Sequence, residues 1–329
     1  MDFDAQQIEK LIAGLPAEQQ ADLLSLLEEL ETRKLNSAAQ MDFLAFIARV
    51  DRNYKFGVHL KRLGHLLMDV QEGLKDRIAV SMAPRFGKSQ MISIYYPAWY
   101  LGKHPDHKVI VASHTADLAV VMARKVRNLI QSQEYAEIFP DTRIASDAKA
   151  AAQWNTTAGG EYFAIGVGGA LAGRGAHLII ADDPLSEQDI KSGNTNSLDT
   201  LYDWFSAGLR TRLMPNGKIC VLHTRWHMRD LIGRLLKDSA MNDGGDVYEP
   251  FEFPAILNEN TENEKSLWPE QWSLESLQQT RASMHHITWQ WYAQYQQNPT
   301  ASKAAIIKRE WIRWWEKETP PSVDFMVQS

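Results

Sequence analysis

Short runs of β-branched and other apolar residues recur along the chain from residue 77 onward. They cover residues 77–83, 108–114, 162–167, 177–182 and 218–224. Several are apolar at nearly every position, as in strands that are buried on both faces of a parallel sheet. Between them, apolar residues have helical spacing over residues 90–101, 116–130, 195–213 and 228–236. This alternation predicts a doubly wound α/β domain, with a mostly parallel sheet flanked by helices.

The two ends of the chain differ from this central part. Over residues 1–40, leucines recur at roughly helical spacing with a break at Gly14-Leu15-Pro16, which predicts two short helices. After residue 255 the chain becomes rich in tryptophan, which predicts packing against the sheet or a following domain. These tryptophans are Trp268, Trp272, Trp289, Trp291, Trp311, Trp314 and Trp315. We therefore expect an N-terminal helical arm (1–45), a core (46–255) and an aromatic-rich lid or linker segment (256–329).

Composition narrows the class of protein. Of the 329 residues, 44% are hydrophobic and 23% are charged, which is ordinary for a globular protein. The net charge of −6 argues against a broadly basic surface, although a local basic stripe can still bind nucleic acid. Cys220 is the single cysteine, which excludes an intrachain disulfide and favours a reducing compartment. No apolar stretch approaches the ~18 residues that span a bilayer, and no secretion signal is visible, so we expect a cytoplasmic protein without a membrane partner.

The stretch SMAPRFGKSQ, residues 81–90, directly follows the first apolar run. A phosphate-binding loop reads Gly, four residues, then Gly-Lys-Ser or Gly-Lys-Thr, between a strand and a helix. Gly87, Lys88 and Ser89 match this pattern, while Met82 stands where the first glycine is expected. The loop N–H groups, the Lys88 ammonium for β- and γ-phosphates and the Ser89 hydroxyl for Mg²⁺ are all retained. The alternative is a helix start that reads Gly-Lys-Ser by chance.

Two adjacent carboxylates, Asp182 and Asp183, end the fourth apolar run. In a nucleotide hydrolase the first carboxylate holds the Mg²⁺ shell and the second orients the attacking water. Most such enzymes have Glu at the second position, so the nearby Glu187 is an alternative catalytic carboxylate. The structural alternative for the pair is a helix N-cap or a turn at Asp-Asp-Pro.

Two further segments carry candidate chemistry. Arg174 lies in the glycine-rich stretch GGALAGRGAH. From this stretch a guanidinium can stabilise the γ-phosphate of a nucleotide bound to the same chain or to a neighbouring subunit. The alternative interpretation is an arginine in an exposed turn. Thr224 and Arg225 end the last run, where a polar side chain can sense the γ-phosphate. His223 and His227 are four residues apart but lack a His-Glu-x-x-His pattern, so we expect no metal site there.

Together these segments resemble the ATPase domain of the large terminase subunit of tailed bacteriophages, the motor that packages DNA. The similarity runs over about residues 50–315 and includes APRFGKS, FPDTRI, GVGGALAGRGAHLIIADDP, TRWHMRDLIGRL and YQQNPTA. Members of that family commonly carry Pro-Arg in the phosphate loop and lack its first glycine, as at Met82. The resemblance implies a P-loop NTPase of the ASCE or RecA-like class, with ATP and Mg²⁺ as cofactors.

The resemblance also implies the nucleotide-binding residues. Lys88 and Ser89 would bind phosphate and Mg²⁺, and Asp182 would be the Walker B aspartate. The loop residues expected at the nucleotide are Pro84, Arg85, Phe86, Gly87, Lys88, Ser89 and Gln90. The segment that would contact adenine lies around Phe56, His59 and Leu63.

Catalytic roles follow from the same resemblance. Asp183 stands at the catalytic carboxylate position, where Asp in place of Glu leaves Glu187 open as the alternative. Arg174 matches a trans-acting arginine finger, and Arg85 matches a phosphate contact or a link between subunits. Thr224 and Arg225 fall in the motif that couples hydrolysis to movement.

The implied function is an ATP-driven motor that moves double-stranded DNA into a procapsid, without nuclease activity in this chain. Asp324 precedes the last apolar run, so we do not assign it as a nuclease ligand. The implied partners are double-stranded DNA, the portal protein, the small terminase subunit and further copies in a pentameric ring. The implied location is the host cytoplasm and, transiently, the portal vertex of the procapsid. Candidate DNA contacts are Arg210, Arg212, Arg229 and Arg234.

Two alternative functions remain: a superfamily-2-like helicase, and a nucleotide-binding assembly module without turnover.

Overall fold

A seven-stranded sheet organises the chain in the computed structural model, which describes residues 15–146, 150–191, 196–242 and 244–299. Its strands are β1 (Arg77–Met82), β2 (Lys108–Ser113), β3 (Gln153–Asn155), β4 (Glu161–Gly166), β5 (Ala176–Asp182), β6 (Leu213–His223) and β7 (Glu249–Phe253). Their order across the sheet is β3-β4-β2-β5-β6-β1-β7. All neighbours are parallel except β3 and β4, which are antiparallel. Two short strands, β8 (Ile256–Leu257) and β9 (Lys265–Ser266), form a separate antiparallel pair.

The position of β6 between β1 and β5 determines where the functional groups meet. Val80 of β1 is paired with Leu222 of β6, and Asp182 of β5 is paired with the same Leu222. Because these three strands are parallel, their carboxyl ends lie side by side at one edge of the sheet. Loops at this edge form the ligand crevice of open α/β sheets.

Helices cover both faces of the sheet. They are α1 (Ala17–Met41), α2 (Phe43–Val50), α3 (Val58–Gln71), α4 (Lys88–Gln90, a π-helical turn Met91–Tyr95, and Tyr96–Lys103), α5 (Ala116–Ile130), α6 (Gln133–Ile138), α7 (Glu187–Lys191), α8 (Asn196–Asp203, continued by a π-helical turn Trp204–Leu209 and a 3₁₀ turn Arg210–Arg212), α9 (Leu231–Met241), α10 (Leu274–Ser283) and α11 (Thr288–Gln290). A 3₁₀ turn, His285–Ile287, precedes α11, and a π-helical turn, Trp291–Tyr295, follows it.

Alternate strand residues face two apolar cores. Ile78 and Val80 face the core that contains α2 to α6, whereas Ala79 and Val221 face the core that contains α8 and α9. Burial on both sides explains why the interior strands are apolar at successive positions. The aromatic segment joins the first core, because Trp268 and Trp291 are both buried in it.

The π-helical turn in α4 has a cause in the sequence. Pro97 has no N–H to donate, and in α geometry its ring conflicts with the carbonyl of Ser93. The wider turn Met91–Tyr95 lies immediately before this proline, and the Tyr96 N–H bonds to the Met91 carbonyl. The helix therefore continues past Pro97 to Lys103.

The doubly wound sheet predicted from the apolar runs is confirmed, with differences at its margins. All five runs are strands, and the two further strands, β3 and β7, lie at the edges of the sheet. The sequence did not reveal them, because β3 has three residues and β7 contains Pro250 and two glutamates.

The N-terminal region contains one helix in the described part of the chain. The helix α1 begins at Ala17, directly after the Gly14-Leu15-Pro16 break, whereas the helix expected before the break lies outside the described residues. Leu24, Leu26 and Leu30 of α1 are exposed, but Phe43 of α2 is buried in the main core. The boundary at residue 45 remains a prediction. Trp311, Trp314, Trp315 and Asp324 also lie outside the described residues.

Candidate functional site

A cleft of about 740 Å³ opens at the carboxyl edge of the sheet. The loop after β1 lines it with Pro84, Arg85, Gly87, Lys88, Ser89 and Gln90, six of the seven loop residues predicted from the sequence. Across the cleft lie Asp183 and Glu187, which follow β5, and Thr224, which follows β6. The side chain of Phe86, the seventh predicted residue, is buried instead among the rings of His59, Trp268 and Trp272. Phe86 therefore offers only its backbone to the cleft.

The loop backbone has the alternation of a phosphate-binding nest. Arg85 and Gly87 have positive φ values of 65° and 87°. Such alternation turns successive N–H groups toward one concavity, where an anion binds. A Cβ at Gly87 would also lie 3.0 Å from a Leu60 methyl. Met82 does not have a positive φ and still belongs to β1, so this loop has no need of an opening glycine.

Lys88 joins the loop to the strands on the other side of the cleft. Its ammonium is 2.7 Å from Asp183 Oδ2 and donates to Thr224 Oγ1 at 3.1 Å. The other oxygen of Asp183 accepts the Thr224 N–H at 2.9 Å. Lys88 is buried, and a buried charge requires such a partner. The structure thus brings together three residues that lie far apart in the sequence.

Asp182 does not line the cleft but is buried behind Ser89, and it is bonded by two serines of α4. Ser89 Oγ donates to Oδ1 at 3.0 Å and Ser93 Oγ donates to Oδ2 at 2.7 Å. Burial, followed by the negative charge of Asp183, raises the pKa of Asp182 to about 7, while the Lys88 ammonium acts in the opposite direction. Hydroxyl and carboxylate oxygens are the ligand types that Mg²⁺ prefers, so Ser89 and Asp182 fit a magnesium-bound phosphate.

Arg174 does not reach this cleft in its own chain. It precedes β5, whereas Asp182 ends β5. The two residues therefore lie at opposite ends of this strand, roughly 20 Å apart at ~3.3 Å per residue. Its guanidinium pairs with Glu161, donates to Gln153 Oε1 at 3.1 Å and lies 3.7 Å above the Phe163 ring. This position argues against the interpretation in which Arg174 acts on the γ-phosphate of its own chain. Action on a neighbour stays a prediction.

Arg225 lies between Thr224 and Trp226, which both line the cleft, but does not line it itself. The Arg225 Nε donates to both oxygens of Asp230, at 3.0 and 2.9 Å, and both side chains are buried. Asp230 also caps α9 through the Gly233 N–H, and the Arg225 N–H donates to Gln297 Oε1 at 3.3 Å. Thr224 thus lies at the cleft, while Arg225 connects it to α9 and to the aromatic segment.

The residues expected to contact adenine are displaced from the open surface. His59 and Leu63 are buried in the core, and burial lowers the pKa of His59. The neighbouring loop is the accessible part, because Asp51, Asn53, Tyr54 and Lys55 line a hollow of about 300 Å³. This hollow adjoins the cleft at Arg85, Gly87 and Gln90. Adenine binding near this segment stays a prediction, and the burial of His59 and Leu63 makes the neighbouring loop the better candidate for it.

Three of the four arginines expected at DNA are bound to carboxylates. Arg210 forms a two-point contact with Asp246, and Arg229 and Arg234 both pair with Asp199. Arg212 donates to Gly208 O and Thr211 Oγ1. Neutralised arginines attract phosphates less strongly, so Arg210, Arg229 and Arg234 are poorer candidates for DNA contacts than the sequence suggested.

The His223 and His227 pair is engaged in local hydrogen bonds. His223 is buried, with Nδ1 2.8 Å from Thr224 O and Nε2 accepting the Ile232 N–H at 3.1 Å. His227 Nδ1 accepts the Arg229 N–H at 3.0 Å. Burial lowers the pKa of His223, which favours a neutral ring that supports the turn.

Two contacts at the site were missed by sequence reasoning. Ser93 lies four residues after Ser89, a spacing that places both on one helix face and that the sequence already contained. The Trp272 Nε1–H donates to the Arg85 carbonyl at 3.4 Å, across 187 positions. No local pattern reveals that second contact.

The architecture defines a class of fold: a doubly wound α/β domain in which the loop after β1 lines a cleft at the carboxyl ends of a mostly parallel sheet. No profile of a known protein family matches the chain, and no curated protein sequence is significantly similar to it. Among solved structures, the HK97 bacteriophage large terminase is similar with a TM-score of 0.50 and 14% identity, over 78% of this chain and 54% of that one.

The ATPase domain of the Thermus phage P74-26 large terminase is also similar. Its TM-score is 0.47 at 14% identity, over 74% of this chain and 99% of that domain. A substituted form of the same domain has a TM-score of 0.45 at 14% identity, over 70% of this chain and 92% of that one.

The chain therefore shares its fold with part of the HK97 large terminase, and the α/β fold predicted from the sequence is confirmed. It spans about half the length of the HK97 large terminase. No helix in the described part of the chain is long and apolar enough to cross a bilayer.

Proposed function

We propose that this chain is the ATPase motor domain of a DNA-packaging terminase and that it hydrolyses ATP in the cleft beside Lys88. One observation carries the proposal: at the cleft, Lys88 contacts Asp183 and Ser89 contacts the buried Asp182. A lysine, a hydroxyl and two carboxylates beside a nest of N–H groups are the groups that phosphoryl transfer to water requires. The fold shared with the HK97 large terminase supports the same proposal.

Each group of the cleft has a role in this proposal. The loop N–H groups and the Lys88 ammonium bind the β- and γ-phosphates, and Ser89 with Asp182 holds Mg²⁺. When bound, Mg²⁺ would neutralise part of the phosphate charge. Once a phosphate takes the place of Asp183 beside Lys88, the carboxylate is available to orient the attacking water. Thr224 lies between Lys88 and Asp183 and senses whether the phosphate is present.

The motor acts as a ring in this proposal. Arg174 lies at the edge of the sheet opposite its own cleft, so it serves the cleft of an adjacent copy. An arginine supplied in trans contributes on the order of 10³–10⁵ in rate. The ring, expected to be pentameric, binds the portal protein and the small terminase subunit in the host cytoplasm and at the procapsid portal vertex. It moves double-stranded DNA by contacts that include Arg212.

The proposal is tested by ATP hydrolysis in purified protein. We expect Lys88→Ala to lower turnover about 10²-fold or more, since it removes a preorganised charge from the transferring phosphate. Lys103→Ala is the matched control, because Lys103 ends the same helix and lies against Trp99 rather than the cleft. Equal turnover in wild type and Lys88→Ala would refute the proposal.

Two other functions predict different results. A superfamily-2-like helicase separates the strands of a tailed duplex, whereas a packaging motor moves along an intact duplex. An assembly module binds ATP tightly but releases no phosphate, even at high protein concentration. Both measurements use the same wild-type protein.

A further inference from the structure

Ser93 is a buried polar residue beside the cleft that the proposed roles leave unused. Its side chain is fully buried in α4, and its hydroxyl donates to Asp182 Oδ2 at 2.7 Å. Ser89 donates to the other oxygen, Oδ1, at 3.0 Å. Each oxygen of the carboxylate is therefore bonded by a different serine.

The helix explains why two serines reach one carboxylate. Residues four apart lie on the same face of a helix, so Ser89 and Ser93 both face β5. Ser89 lies in the first turn of the helix and lines the cleft, whereas Ser93 lies one turn further along, within the π-helical turn, and does not line it. Two bonds of this kind fix the rotation of the carboxylate about its Cβ–Cγ bond.

We propose that Ser93 is a positioning residue that holds Asp182 in the orientation needed for Mg²⁺-bound nucleotide, an inference that rests on the proposed function. The Ser89 oxygen has lone pairs for a cation while its proton bonds to Asp182. Ser93 acts only through Asp182. Partners that orient metal-site carboxylates typically contribute 10–100-fold in metal affinity.

The neighbouring strand supplies a matched control. Ser113 ends β2 and is paired in register with Asp182. It is also buried, but its hydroxyl has no hydrogen-bond partner among the described residues. Ser113→Ala therefore removes the same atom from the same neighbourhood without removing a bond to the carboxylate.

The experiment measures the affinity for ADP by calorimetry, once with Mg²⁺ and once with EDTA. In Ser93→Ala we expect the gain in affinity from Mg²⁺ to fall about 10-fold or more, with the affinity in EDTA unchanged. Ser113→Ala is expected to match wild type in both conditions. Ser93→Cys keeps the volume but donates weakly, so an intermediate loss is expected.

Several results would overturn the inference. One is a Ser93→Ala protein in which Mg²⁺ raises the affinity for ADP as much as in wild type. Another is an equal loss of this Mg²⁺ effect in Ser93→Ala and Ser113→Ala, because burial rather than the hydrogen bond would then be responsible. If Ser93→Ala fails to fold, an unchanged Mg²⁺ gain in Ser93→Cys contradicts the inference equally. Failure of wild type to bind ADP would instead refute the proposed function, so the two failures are distinguishable.

Discussion

Asp182 and Asp183 have different surroundings although they are neighbours in the sequence. Asp182 is buried and is bonded by two hydroxyls, whereas Asp183 is half-buried and contacts Lys88 and the Thr224 N–H. Asp183 also has a positive φ of 42°, which turns its side chain toward the cleft. These surroundings suit Asp182 to a metal and Asp183 to a water molecule.

Asp183 and Glu187 both line the cleft, and substitutions distinguish which of the two is the catalytic carboxylate. We expect Asp183→Asn to lower ATP turnover about 10²–10⁴-fold, the usual contribution of a general base. Nucleotide affinity is expected to hold or rise, because Lys88 loses its competing carboxylate. Steady-state hydrolysis and ADP binding measure the two quantities.

Glu187→Gln is the matched variant, and near-normal turnover is expected for it. The reverse pattern, with turnover lost in Glu187→Gln and kept in Asp183→Asn, would assign catalysis to Glu187 instead.

Among the structural elements, the aromatic segment packs against the loop after β1 through Trp272. Trp272 stacks on Phe86 at 6.4 Å between ring centres, and its N–H bonds to the Arg85 carbonyl. Within one peptide unit the C=O and N–H groups point in opposite directions. A carbonyl held outward at Arg85 therefore keeps the Phe86 N–H directed into the nest.

The prediction for this element is that Trp272→Phe raises the KM for ATP several-fold and leaves kcat nearly unchanged. Phe keeps the stacking on Phe86 but lacks the indole N–H, and one hydrogen bond contributes about 1 kcal/mol. Trp289→Phe, in the same segment, is the control. A lower kcat at constant KM would show that Trp272 acts on the chemistry rather than on phosphate binding.

The same elements show what the sequence could and could not predict. The interior strands were predictable because each is buried on both faces, and Lys88, Asp182 and Thr224 because they follow such strands. Edge strand β7 was not, because Glu249 and Glu252, on opposite faces of this strand, interrupt the apolar pattern, and neither is buried. Contacts over long separations, such as Trp272 with Arg85, leave no local pattern, and the pairing of Arg174 with Glu161 depends on how β4 and β5 are placed.

In the whole molecule, the cleft lies at the carboxyl ends of the parallel strands and Arg174 lies at their amino ends. Arg174 is held there by Glu161 and Phe163, away from its own cleft, and in the proposed ring it serves the cleft of an adjacent copy. A complete site would then require two chains, and turnover per chain should increase with protein concentration.

A mixing experiment tests this arrangement. Arg174→Ala and Lys88→Ala are each expected to be nearly inactive, the first for want of an arginine and the second for want of a phosphate ligand. A mixture should recover part of the wild-type turnover, because intact clefts meet intact arginines. No recovery, together with concentration-independent turnover in wild type, would mean that Arg174 does not act between chains.

The most direct test of the central claim is a crystal structure with Mg²⁺ and a non-hydrolysable ATP analogue. We expect the β- and γ-phosphates within hydrogen-bond distance of the Lys88 ammonium, with Mg²⁺ beside Ser89 and Asp182. An analogue bound elsewhere, or a cleft in which Lys88 still pairs with Asp183 at saturating analogue, would contradict the account.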